Sequence, residues 1–177
     1  MRGPRFTEAD AQCAFDAWGC NCGPSALAVV MGMRLDEVRP HLKGFDEKRY
    51  TNPLMMYDAL RSIGRPWRRL NVRSVAPGLR DRWFWPCFGL SRIQWEGPWT
   101  EPGVPIQARY RKTHWVGVMR ANRGVGIWDI NAMNNGSGWC SLEDWTRVLV
   151  PAITAQYKRA SGAWHITHSI EVGAPIP

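Results

Sequence analysis

Residues 20–31, Cys-Asn-Cys-Gly-Pro-Ser-Ala-Leu-Ala-Val-Val-Met, constrain the fold more than any other stretch of the chain. Proline lacks a backbone N–H and has a fixed φ, so it fits a helix only in the first turn; Pro24 therefore marks a helix start. Ser25 to Met31 are small or apolar on every side, which describes a helix packed on several faces, expected over Cys22–Met33 with a break near Gly32. Cys22 stands at that start. There it meets the positive end of the helix dipole and backbone N–H groups without helical partners, and both favour thiolate over thiol. Taken alone, such a cysteine reads equally as a small packing residue, because free cysteine is among the most buried residue types.

The downstream sequence changes that balance. His114–Met119 and Val125–Ile130 read as strands joined by a glycine-containing hairpin at residues 120–124. A thiol attacks a carbonyl well only with a base in reach, and His114 is the candidate base. Asp129 follows fifteen residues later, on the neighbouring strand, where a carboxylate fixes the tautomer and orientation of an imidazole. Asn131 shares the expected strand face of Asp129 and is the alternative orienter. Each residue has a structural explanation by itself; a thiol at a helix start followed by His and Asp on successive strands is a constellation for nucleophilic catalysis. His41, His165 and His168 lack that context, and the three-residue spacing of the last two puts them on opposite faces of a strand, unsuited to a shared metal.

Cys22-Gly23-Pro24-Ser25-Ala26-Leu27, Thr113-His114-Trp115-Val116-Gly117 and Gly126-Ile127-Trp128-Asp129-Ile130-Asn131 together resemble the three motifs of papain-like cysteine peptidases. The likeness is greatest to the compact bacteriocin leader-processing peptidases and to short uncharacterised phage and prophage proteins. It covers roughly residues 12–150, and Ser141-Leu142-Glu143-Asp144-Trp145 is similar to the short helix those folds place after the third catalytic residue. The resemblance implies an α+β, papain-like fold with helices packed on an antiparallel sheet. It implies a Cys22–His114–Asp129 triad, a protein or peptide substrate, and no cofactor or metal. It also implies a glutamine six residues before the nucleophile as oxyanion donor; that position is Asp16, and Gln12 and Asn21 are the amides offered in its place.

At 177 residues the chain is expected to be one domain, 1–177, with flexible ends at about 1–10 and 173–177. Residues 1–21 read as an irregular lead-in with a turn at Thr7–Asp10. Asn52-Pro53 reads as a capped start for a helix that Gly64 ends. Further strands are expected over 67–72, 104–110, 152–159 and 163–172, with a turn at Pro77-Gly78, while Pro86 argues against a central strand in the aromatic run 81–95. No apolar run approaches the ~20 residues of a membrane span, and the basic N-terminus has no apolar stretch behind it, so a cytoplasmic protein is expected.

Five cysteines cannot all pair, and free thiols are the default in that compartment. Cys20-Asn21-Cys22 is too tightly spaced for a zinc pair, and Cys20 is a neighbour or a resolving thiol for Cys22. A net charge of +8 suggests an acidic partner. Eleven tryptophans, several interleaved with arginine (Trp67-Arg68-Arg69, Arg82-Trp83-Phe84-Trp85, Arg92-Ile93-Gln94-Trp95), fit single-stranded nucleic acid if they are exposed. Two functions of different class therefore stand. One is a cysteine hydrolase. The other is an inactive module of the same fold that binds nucleic acid or an acidic protein, including a phage anti-defence role.

Overall fold

The computed structural model describes residues 3–71, 84–122 and 124–173, which form an α+β arrangement around a six-stranded antiparallel sheet. The first element is α1, Glu8–Trp18. Thr7 and Asp10 make a reciprocal capping box, with Asp10 N donating to Thr7 Oγ1 (3.1 Å) and Thr7 N to Asp10 Oδ2 (2.8 Å), and Gly19 ends the helix in the left-handed region at φ 72°. The irregular lead-in expected over residues 1–21 is thus replaced by a helix that both caps specify. The expected turn at Thr7 is its first turn.

The central helix α2 runs Cys22–Met31 and closes at Gly32, two residues short of the expected end. Gly23 through Met31 are all buried. Gly23 is required by packing: a Cβ there would collide with the side chain of Thr51. Short helices α3 (Leu35–Val38) and α4 (Phe45–Lys48) lead to α5, Pro53–Ile63, where Asn52 Oδ1 accepts from Met55 N (2.9 Å) and Pro53 takes the first position, as the sequence indicates.

The sheet contains β1 (Trp67–Leu70), β2 (Phe88–Trp95), β3 (Thr113–Ala121), β4 (Gly124–Trp128), β5 (Trp139–Ser141) and β6 (Trp164–Val172), in the order β1-β6-β2-β3-β4-β5. Several sequence expectations change here. β2 is central despite Pro86, because the strand begins two residues after the proline and loses no ladder donor to it. Residues 104–110 contain a one-turn helix, α6 (Ile106–Arg109), instead of a strand; Pro105 stands at its N-cap, and the strand before His114 is β2. Residues 152–159 are not a strand either. A helical run α7 (Leu142–Asp144) passes through a π turn (Trp145–Leu149) into α8 (Val150–Thr154), and β6 pairs with β1 and β2. Val72, Pro77-Gly78, Arg82-Trp83, Arg123 and the two extreme ends lie outside the described residues.

Side chains alternate across the sheet, so it has two packed faces. Leu90, Trp115, Trp128, Ile170 and Val172 face α2 and α5. Ile93, Trp95, Val116, Val118, Ile127 and Ile166 face Trp145, Val150 and Ile153 of the helical run. Gly117 lets α2 lie close to the sheet, since an added Cβ would meet Trp128 Cβ at 3.2 Å and Val30 Cγ2 at 3.4 Å. One buried tryptophan is anchored through its N–H group: Trp115 Nε1 donates to Thr51 O (2.9 Å), tying the sheet to the loop that receives Gly23. Among the described residues no helix is long and apolar enough to cross a membrane.

Candidate active site

Three elements meet at the site: the start of α2, the start of β3 and the end of β4. Asn21 occupies the N-cap of α2 but makes no capping bond. Its Nδ2 donates instead to Ala11 O of α1 (2.8 Å), which fixes the loop and leaves the first N–H groups of the helix uncapped by a side chain. Cys20 lies beside those groups, and the backbone N–H of Cys22 and of Gly23 favour its thiolate. The two sulfurs, Cys20 Sγ and Cys22 Sγ, are 4.0 Å apart.

His114 lies near enough to Cys22 for each to bear on the other's charge: the imidazole favours the thiolate, and the thiol favours the imidazolium. On its other side, His114 Nε2 is 3.0 Å from Asp129 Oδ1. That leaves Nδ1 as the nitrogen for the sulfur. Asp129 is wholly buried, and each of its oxygens is engaged. Oδ1 also accepts from Asn131 N and Asn131 Nδ2, both at 2.9 Å, and Oδ2 accepts from Trp145 Nε1 at 2.8 Å. Trp95 stacks on the imidazole, ring centroids 5.9 Å apart at 27°. The ring is thus held in position by a bond and a stacking contact before any ligand arrives.

The electrostatics follow from this packing. Burial opposes charge on His114, but Asp129 and then Cys22 outweigh it and push its pKa up to about 10. Burial likewise opposes charge on Asp129, yet His114, Trp145 and Asn131 hold its carboxyl below the usual range. The two thiols titrate as a pair. The hydrogen bond from Cys22 pulls Cys20 down to about 7, with burial opposing and the helix N–H groups assisting. The same bond, followed by burial, pushes Cys22 up, while His114 pulls it down. The pair therefore gives up its first proton near neutrality and resists losing the second. Its single negative charge lies beside an imidazole that stays protonated through the same range.

The structure thus brings together Cys22, His114 and Asp129. Asn131 takes a different position from the one expected. β4 ends at Trp128 and the chain turns into a 3₁₀ segment at Ile130, so Asn131 does not share a strand face with Asp129; it braces the carboxylate instead of the imidazole. Gln12 is exposed on α1 with its amide on Asp16 Oδ1 (2.8 Å), and Asn21 is engaged by Ala11, so both oxyanion candidates have other partners. Sequence reasoning missed Trp145 and Trp95 as parts of the site. Trp145 stood next to the Ser141–Asp144 motif, but a tryptophan at a helix start reads as core, and nothing in its spacing points to Asp129. Among the described residues no group of three His, Cys, Asp or Glu is placed to hold a metal ion. Every described tryptophan is buried or half-buried, Trp67 being stacked on Tyr57 at 4.8 Å, so none stands as an open stacking platform. Neither a protein-family model nor a curated protein sequence matches the chain.

Proposed function

We propose that this chain is a papain-like cysteine hydrolase that cleaves a peptide, isopeptide or amide bond through a thioester on Cys22. The observation that carries the reading is the buried His114–Asp129 pair, bonded at 3.0 Å, with Cys22 of a buried helix start within the electrostatic reach of the imidazole. In the reaction, the Cys22 sulfur attacks the carbonyl carbon and the carbonyl oxygen becomes an oxyanion. His114, already protonated, donates its proton to the leaving nitrogen as the tetrahedral intermediate collapses to a thioester. His114 then takes one proton from water, whose oxygen attacks the thioester carbonyl; the acyl group leaves as the acid and the sulfur as thiolate, which restores the thiolate beside a protonated His114. Asp129 keeps the ring oriented and its positive charge compensated throughout. The backbone N–H groups of Cys22 and Gly23, at the same helix start as the sulfur, would donate to the oxyanion once the Cys20 sulfur moves off them.

The test is covalent capture by a peptide vinyl sulfone followed by intact mass. The expected result is one adduct on Cys22, none in Cys22→Ala, and a rate about a hundredfold lower in His114→Ala, within the range of a positioned acid–base group. Labelling should rise through about pH 7 as the thiol pair loses its first proton, and turnover should fall through about pH 10 as His114 loses its own. Adducts spread evenly over the five cysteines would overturn the proposal. The binding-module alternative keeps one supporting observation, the net charge of +8. It requires nucleic-acid affinity that falls steeply with salt and survives Cys22→Ala.

A further inference from the structure

Arg92 is a charged residue buried to 6% exposure in a central strand of the sheet. It lies two residues beyond Leu90, which packs beneath α2, and its Nη2 donates to Thr113 Oγ1 at 3.1 Å. Among the described residues no carboxylate pairs with it, and its Nε has no hydrogen-bond partner. Buried charges are ordinarily paired, and an arginine presents a planar fork suited to a carboxylate or phosphate. The groups that share its electric field are Tyr110, Cys22 and Tyr50. The guanidinium lies 5.6 Å from the centre of the Tyr110 ring, and Tyr110 is 40% exposed, so the ring that covers Arg92 itself meets solvent. Lys112 adds a second positive charge, with Nζ 4.9 Å from the ring centre of Tyr157, a residue that itself lies in the field of Cys22 and Cys20.

Resting on the reading of Cys22 as the nucleophile, we infer that Arg92 is a specificity-determining residue: it takes an acidic group of the substrate, a carboxylate beside the scissile bond, with Tyr110 as a movable cover and Lys112 as a supporting charge. The thiol pair does not fill this role, because the Nε–H of Arg92 stays without an acceptor beside it. A substrate carboxylate would give that N–H its acceptor and neutralise the buried charge.

The test uses two small alkylating agents that differ in charge. Iodoacetate is expected to label Cys22 faster, relative to iodoacetamide, than it labels an exposed thiol such as Cys13. That preference should fall about tenfold in Arg92→Met, as for loss of one charge-assisted bond, and only in part in Arg92→Lys, which keeps the charge but not the fork. Equal slowing of both reagents would overturn the inference, since Arg92 would then only support the thiolate. A second arm needs no thiol chemistry: Cys22→Ser protein titrated calorimetrically with the α-amides of N-acetylglutamate and N-acetylglutamine, which differ only in the side-chain carboxylate. Binding of the glutamate alone, lost in the added Arg92→Met change, supports the pocket even if Cys22 labels with nothing, in which case the hydrolase reading fails by itself. Capture of the vinyl sulfone together with no dependence on Arg92 in either arm leaves the hydrolase and removes the pocket.

Discussion

The two halves of the site are built to different standards. On the imidazole side, His114 is bonded to Asp129, Asp129 is bonded to Trp145 and twice to Asn131, and Trp95 stacks on the ring. These groups come from β2, β3, the end of β4 and the helical run beyond it, so their geometry is set by the sheet and the core on one of its faces. On the sulfur side, Cys22 is placed by Gly23 against Thr51 and by an N-cap residue whose side chain is tied to α1, and its near neighbour is a second thiol. The difference shows which part of such a site needs rigidity. Proton transfer depends on the angle and tautomer of a ring, which a buried network fixes. On the proposed hydrolase reading, the sulfur has only to reach a carbonyl, while the donors beside it must yield to the incoming oxygen.

The largest effect should come from breaking the rigid half at its centre. In Asp129→Asn, whichever way the amide is turned, its NH₂ group faces a donor, either Trp145 Nε1–H or the N–H groups of Asn131. A buried donor left unmet costs about 1–3 kcal/mol. Turnover should fall on the order of a hundredfold, because the charge that keeps His114 protonated is gone. The pH dependence has a definite sign. The folded pKa of His114, about 10, is above its ordinary value near 6.5, so the charged pair stabilises the fold fully below about pH 6.5 and less as pH rises through 10. The stability gap between wild type and Asp129→Asn, measured by denaturant midpoint, should be wide at neutrality and narrow above pH 10. A gap that is flat with pH would mean that His114 is neutral in the folded protein.

Trp145→Phe sharpens the same half with a smaller step. It keeps most of the ring packing against Trp95 and Trp164 and removes one N–H from Asp129 Oδ2. A hydrogen bond to a charged group contributes about 1.5–3 kcal/mol, so the loss should show clearly in thermal midpoint. Turnover should fall less than in Asp129→Asn, because the bond from His114 to Oδ1 survives. Equal loss of activity in the two variants would show that orientation of the carboxylate, more than its charge, governs the imidazole.

How much of this was legible in the sequence follows the same division. Cys22, His114 and Asp129 are visible because each sits in a short motif whose residue types have local reasons: Pro24 sets a helix start, and alternation sets the strands around His114 and Asp129. The helical cap at Asn52-Pro53 is legible for the same reason. α1 was hidden because only Ala11 and Ala14 of it are buried, so its apolar face is too thin to show a period, although the Thr7–Asp10 box was in view. The 104–110 and 152–159 segments contain β-branched and apolar residues that suit a strand, and tertiary packing put helical turns at Ile106–Arg109 and Val150–Thr154. Trp145, Trp95 and Arg92 were beyond reach for a different reason: their contacts with Asp129, His114 and Thr113 join residues distant in the chain, and such packing is not written in local pattern.

The smallest expected effect lies in the loose half, at Cys20, and it separates two roles that the sulfur combines. Cys20 opposes the ionisation of Cys22 through their hydrogen bond and its charge, and it lies beside the N–H groups of Cys22 and Gly23, which favour its thiolate. Cys20→Ala removes both effects and leaves His114 in place. Cys22 then ionises at lower pH, so its alkylation by iodoacetamide at pH 7 should rise severalfold. Turnover of a peptide amide reads the second role, since it alone needs an oxyanion to be held. If both rates rise, the freed N–H groups receive the oxyanion and the native Cys20 restrains the enzyme. If alkylation rises and turnover does not, the oxyanion is held elsewhere, and the start of α2 serves only the thiolate. A fall in alkylation would reverse the assignment within the thiol pair, making Cys20 a support for the charge on Cys22 and not a competitor.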